Sequence, residues 1–147
     1  MSDDQLVKFY ERTYGPFVHM SEPEKAIWLR YLMQGGAKYA PFTYDLRVGN
    51  GLDMGATANS YEVNAALALT RKRIDVLFVS NNTTVIVEVK QRAGLGAIGQ
   101  LIGYRDLLRR DRPDIVAMNM LLVTDQLQPD LSHLLVENGI RYHEVGV

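Results

Sequence analysis

Two short apolar runs, residues 74–79 and 84–89, occupy the middle of the chain and are dominated by valine, isoleucine and phenylalanine. That composition predicts a pair of strands, with residues 80–83 as the turn between them. Each run is apolar at almost every position and carries one charge, which predicts strands covered on both faces. Upstream, Ser21-Glu22-Pro23-Glu24 is a helix start. Ser21 can cap, Glu24 can complete a capping box, and Pro23 sits where a missing N–H is harmless. Ala26, Ile27, Trp28, Leu29, Tyr31 and Leu32 follow before Gly35-Gly36 stops the helix, and this apolar excess predicts that it lies against a sheet.

Downstream, glycines 94 and 96 mark a loop. A helix is predicted over 98–110, with Leu101, Ile102, Tyr104, Leu107 and Leu108 toward the core, ended by Arg112-Pro113. Residues 116–123 read as a strand, 130–138 as a short helix with Gly139 at its C-cap, and 140–145 as a closing strand. Residues 42–48 fit a strand, and glycines 49, 51 and 55 give turn chemistry. The alanines and leucines of 61–70 suit a helix, but the segment is read as an edge strand because the hairpin needs a partner. The resulting order predicts an α/β fold with a mixed central sheet. The helix between 89 and 116 allows a parallel crossover.

A chain of 147 residues is read as one domain, 1–147, with residues 1–20 as an N-terminal extension. The absence of cysteine excludes disulfides, thiol chemistry and Cys-ligated zinc or iron–sulfur sites. No apolar run approaches a membrane span and the first residues lack a signal-peptide pattern, so a soluble, cytoplasmic protein without membrane contact is expected. Net charge is −1, which by itself gives no support to nucleic-acid binding. Its distribution changes the picture. Residues 71–112 carry nine basic and four acidic side chains, whereas both flanking segments are net acidic. A solvated helix face explains this as readily as a surface for a polyanion, until a chemical site stands beside it.

The central hairpin supplies that site. A two-residue turn at Asn81-Asn82 sets Ser80 opposite Thr83, and counting back sets Asp75 opposite Glu88 on one face. Directly opposed residues are roughly 4.5–5.5 Å apart, where two ionised carboxylates repel. A divalent cation between them removes the conflict, and oxygen ligands suit Mg²⁺. Lys90 follows on the same face, while Gln100 and Tyr104 share one face of the next helix. The competing explanation is a set of salt bridges, Asp75 with Arg73 or Lys90 and Glu88 with Lys90. Gln100 as a surface residue and Tyr104 as a half-buried core residue belong to the same account.

Asp75 followed by Glu88-Val89-Lys90 resembles the PD-(D/E)xK nuclease superfamily. Gln100-Leu101-Ile102-Gly103-Tyr104 resembles the Gln-x-x-x-Tyr motif of its RecB-like, Holliday-junction-resolvase-like branch. Ile74 stands where the motif has its nominal proline. The resemblance covers residues 20–123 and implies a restriction-endonuclease-like αβββαβ core and metal-dependent hydrolysis of DNA. It implies Mg²⁺ or Mn²⁺ on Asp75 and Glu88, with the Val89 carbonyl and the first-helix acid, Glu24 or less well Glu22, as further ligands. Lys90 would serve the attacking water or the transition state, and Gln100 and Tyr104 would orient the site or touch the DNA backbone. Arg71, Lys72, Arg92, Arg105 and Arg109, with Arg110 and Arg112, become phosphate-contact candidates. A chain this short calls for a homodimer, a larger homo-oligomer or a partner subunit to surround DNA, and suits structure-selective cleavage. The implied location is the cytoplasm, beside the nucleoid or in a phage host. The alternative is a DNA-binding or assembly protein that keeps the nuclease fold without turnover, and RNA is the alternative substrate.

Overall fold

The computed structural model describes residues 2–49 and 72–147. The strand expected over 61–70, and Arg71, lie outside the described residues. The elements in order are α1 (Asp3–Tyr14), α2 (Glu22–Met33), a 3₁₀ turn (Gly36–Tyr39), β1 (Thr43–Val48), β2 (Lys72–Ser80), β3 (Thr83–Lys90), α3 (Leu95–Asp111), β4 (Met118–Thr124), α4 (Leu131–Glu137) and β5 (Ile140–Glu144). They form one five-stranded sheet in chain order, antiparallel from β1 to β3 and parallel from β3 to β5. This mixed sheet flanked by helices matches a restriction-endonuclease-like αβββαβ core. The strand on the far side of β2 is Thr43–Val48.

The hairpin forms as the sequence predicts. Asn81 and Asn82 both have positive φ, 52° and 62°, the backbone of a two-residue turn that matches strand twist. Ser80 therefore faces Thr83, and the register runs back to Val76 opposite Val87. Strand alternation then sends side chains to two cores. On one face Leu77, Ile86 and Leu122 pack under Leu101, Tyr104 and Leu108 of α3 and Leu135 of α4. On the other, Val76, Phe78, Val87 and Val89 pack under Ile27, Trp28, Tyr31 and Leu32 of α2. Alternation breaks at one rung. Ile74 and Leu77 lie on the α3 face while Val76 and Phe78 lie on the α2 face, so β2 changes sides between 74 and 76. In β1, Tyr44 faces α2 while Leu46 and Val48 face α3, and Asp45 between them has φ 55°.

Residues 1–20, read from the sequence as an extension, contain a helix with Leu6, Tyr10 and Tyr14 at helical spacing. α1 has no buried residue, although Ser2 and Gln5 form a capping box at its start. Tyr10 and Tyr14 pack against the α2-side core, and Phe17 and Met20 are buried in it. A polar relay joins three elements there. Trp28 Nε1–H donates to the Tyr44 hydroxyl across 3.1 Å, and that hydroxyl donates to the Tyr14 carbonyl across 2.6 Å. A buried indole N–H without such a partner would cost about 1–3 kcal/mol.

Candidate active site

Leu77 and Ile86 lie against α3, and two residues along from each stand Asp75, where β2 changes sides, and Glu88. They stand just beyond the last regular pair, Val76 and Val87. Here the strands part, and the Asp75 carboxylate takes over the role of a ladder acceptor: Val89 N–H donates to its Oδ2 across 2.8 Å. Glu88 is only 5% exposed, and its Oε2 is buried without a hydrogen-bond partner. Neither acid forms an ion pair among the described residues. Arg73, one candidate partner of Asp75, turns instead to Asp45, with Nε 3.7 Å from Oδ1. The salt-bridge explanation of the pair therefore does not hold.

The electrostatics follow from this confinement. Burial raises the proton affinity of Glu88 well above the ordinary carboxylate range, and the negative charge of Asp75 raises it further. Asp75 moves the same way, again mainly through burial, with the Val89 N–H opposing. Glu24 raises the proton affinity of both acids and Lys90 lowers it, so both side chains act on the pair. Tyr104 is pushed up by burial and then by Glu88 and Asp75, which sets its phenol within their field. Glu24 reaches the pair while serving the N-terminus of α2, its Oε2 accepting the Ser21 N–H across 3.3 Å.

The remaining sequence candidates spread around this centre. Gln100 and Tyr104 line one side of a cleft of about 310 Å³, with Gly99, Gly103 and Leu107, and Lys72 faces them from β2. Gln100 is exposed there rather than bonded to the acids. Arg92 lies in the loop after β3 with φ 46°. Its N–H donates to Asp125 across 2.8 Å, and the next N–H, of Ala93, donates to Thr124 Oγ across 3.2 Å. Arg105 and Arg109 share Asp106, at 3.0 and 4.0 Å, and Arg112 pairs with Asp114. A larger hollow of about 460 Å³ lies at the hairpin end of the α2 face, lined by Tyr31, Tyr39, Phe78 and Arg141, remote from the acids along the strands.

Sequence reasoning missed Asp45. The register brackets it against Asp75, with Tyr44 facing Val76 and Leu46 facing Ile74. Its charge adds to the proton affinity of Asp75. The only signal in the sequence was an acid inside a short apolar strand, and its position depends on a pairing register that β1 does not reveal alone.

Among the described residues no three His, Asp or Glu side chains gather into a metal-ligand group. The pair nevertheless fits a hard divalent cation. It offers oxygen donors only, its charges are buried without an ion-pair partner, and Glu88 Oε2 is left unpaired.

A mixed sheet bearing an acid pair and a following lysine at the splayed end of its central hairpin defines a PD-(D/E)xK-like nuclease fold. More narrowly, residues 60–146 match the endonuclease NucS C-terminal domain, and the chain belongs to that family. No curated protein matches it. Among solved structures, a repair endonuclease from Pyrococcus abyssi is similar over 90% of this chain and 50% of its own, with 19% identity and a TM-score of 0.51. A structure described as an EndoMS–dsDNA2 complex aligns over 91% of this chain and 50% of its own, with 20% identity and a TM-score of 0.47. The chain thus spans about half the length of the solved structures it matches, and the first likeness is one of fold. Among the described residues no helix is long and apolar enough to cross a membrane.

Proposed function

We propose that this chain is an Mg²⁺- or Mn²⁺-dependent deoxyribonuclease that hydrolyses DNA phosphodiester bonds with structural selectivity. The observation that carries the reading is the buried Asp75–Glu88 pair with its unpartnered Glu88 Oε2 beside Lys90. Asp75, Glu88, the Val89 carbonyl and Glu24 would hold the cation. When bound, the cation supplies Lewis acidity toward the phosphodiester and toward water. Asp75 is held in place by the Val89 N–H before any substrate arrives. Lys90, at the strand end, orients water or offsets charge that develops on phosphate oxygen. Tyr104 presents its phenol toward the acids, and Gln100 lines the approach, consistent with the Gln-x-x-x-Tyr motif of the RecB-like branch.

Lys72, Arg92, Arg105 and Arg109 are the phosphate contacts in this reading, with Arg71 beside them in sequence. The likeness to a repair endonuclease makes DNA repair the setting of this reading. The protein acts in the cytoplasm, and a second copy or a partner subunit completes its grip on DNA.

The test uses end-labelled linear, single-stranded, circular and branched DNA with Mg²⁺ or Mn²⁺, beside EDTA and Asp75→Ala controls. Metal-dependent cutting that disappears in Asp75→Ala is the expected result. Binding without cutting of any substrate, by folded protein, would favour a DNA-binding or assembly role instead.

A further inference from the structure

We propose that His19, held in place by Asp45, is a phosphate contact of this site and grips the DNA strand on the β1 side of the Asp75–Glu88 pair. The inference rests on the nuclease reading for its substrate and on a separate set of residues for its geometry. Asp45 uses both oxygens: Oδ2 lies 3.2 Å from His19 Nε2, and Oδ1 lies 3.7 Å from Arg73 Nε. The Asp45 side chain is 13% exposed, against 51% for His19. A buried carboxylate therefore anchors an imidazole that projects into solvent. Such an arrangement fixes the direction of the exposed ring.

The backbone supports the same conclusion. His19 and Asp45 have φ of 61° and 55°, the left-handed region that residues with a β-carbon adopt at a cost. Strain of this kind concentrates where a side chain must be aimed. The Asp45 position coincides with the rung at which β1 and β2 both change faces, beside Asp75. Because both Asp45 oxygens face cationic or donor groups, the outward chemistry of the cluster is donor chemistry. Nε2 lies on the Asp45 side, which leaves Nδ1 as the outward nitrogen of the ring, and in the protonated ring it is a donor from which a phosphodiester oxygen can accept. Asp45 stands on β1 and Lys90 on β3, the strands on either side of the β2 that carries Asp75, so a DNA strand crossing the acids meets His19 from one side and Lys90 from the other.

The experiment measures binding of a fluorescent DNA duplex by anisotropy with Ca²⁺ in place of Mg²⁺. It compares the full chain with His19→Ala, Asp45→Asn and the double variant. Calorimetric Mn²⁺ titration and steady-state cleavage accompany it. A lost charge-assisted contact predicts about 10-fold weaker DNA binding for His19→Ala. Asp45→Asn should weaken binding comparably, and the double variant should be little worse than His19→Ala because the two act as one unit. Mn²⁺ affinity should hold, and the loss in cleavage should fall on KM. His19→Ala changes an exposed side chain, so it tests the contact even if Asp45→Asn fails to fold. DNA affinity of His19→Ala within twofold of the wild type would overturn the proposal. So would weakened Mn²⁺ binding in Asp45→Asn with His19→Ala unaffected, which would make Asp45 a metal ligand. Asp75→Ala that cuts like the wild type would sink the nuclease site while leaving the His19 binding comparison to be judged on its own.

Discussion

The backbone N–H of Val89 donates to Asp75 across 2.8 Å, so the strand that carries Glu88 also fixes its partner carboxylate. The acids are thus held together by the fold, at the expense of burying like charge. Asp75→Asn keeps an acceptor oxygen for Val89 and removes the charge. It should fold with stability equal to or above that of the metal-free wild type, while Asp75→Ala, which strands the Val89 N–H, should be less stable than Asp75→Asn by about 1–2 kcal/mol. Cleavage should fall in both by more than the about 10–100-fold that loss of an outer partner of a metal ligand costs. Thermal melting beside a cleavage assay separates the two roles.

The hairpin was legible because a two-residue Asn-Asn turn fixes its register, which runs back from Ser80 opposite Thr83 to Val76 opposite Val87 and brings Asp75 and Glu88 just beyond the last regular pair. The α2 start was legible from Ser21 and Glu24, and the resemblance set Glu24 beside the acids as well; its carboxylate acts on both of them while it caps its helix. Two other features left little trace. α1 carries Leu6, Tyr10 and Tyr14 at helical spacing, but it buries none of its residues fully, and only Phe17 and Met20 after it enter the core. Asp45 matters only through a strand pairing that spans residues 48 to 72, a separation across which sequence spacing says nothing about register.

Stability should depend on pH in the direction set by the acid pair. Both carboxylates hold protons more tightly in the folded chain than ordinary carboxylates do, chiefly because they are buried. The folded state therefore binds more protons than the unfolded one, and its stability falls as pH rises above the ordinary carboxylate range toward neutral and alkaline values. In chelator, the melting temperature of the wild type should drop on going from pH 5.5 to pH 8 relative to Glu88→Gln, at about 2–4 °C for each kcal/mol in a chain of this size. Saturating Mn²⁺ should shrink that drop, because it stabilises the ionised pair. Parallel pH profiles for the wild type and Glu88→Gln in chelator would show that Glu88 is not the group responsible.

The loop that follows Lys90 is pinned by the end of β4. Ala93 N–H, fully buried, donates to Thr124 Oγ, and Arg92 N–H donates to Asp125. Thr124→Val conserves shape but leaves the Ala93 N–H without its acceptor, which should cost about 1–3 kcal/mol in denaturant unfolding. Thr124→Ser should recover most of that. Because the pinned residues lie two and three positions past Lys90, Thr124→Val should also lower kcat several-fold under conditions where it is fully folded. Unchanged kcat would mean that Lys90 is held by β3 alone.

Arg105 and Arg109 lean on Asp106, at 3.0 and 4.0 Å, on a solvent-exposed stretch of α3. Exposed pairs of this kind are worth about 0–1 kcal/mol, so both guanidinium groups can turn to another anion at little cost. If they meet DNA phosphates, Arg105→Ala should weaken binding evenly across sequences and reduce the slope of log affinity against log salt by about 1. Asp106→Asn should act in the opposite sense, tightening binding a few-fold by removing a competing negative charge, with the larger gain at low salt. Titrations of one duplex at several salt concentrations, repeated with a second unrelated sequence, measure both effects. A change in sequence preference without a change in salt slope would instead make Arg105 a base contact.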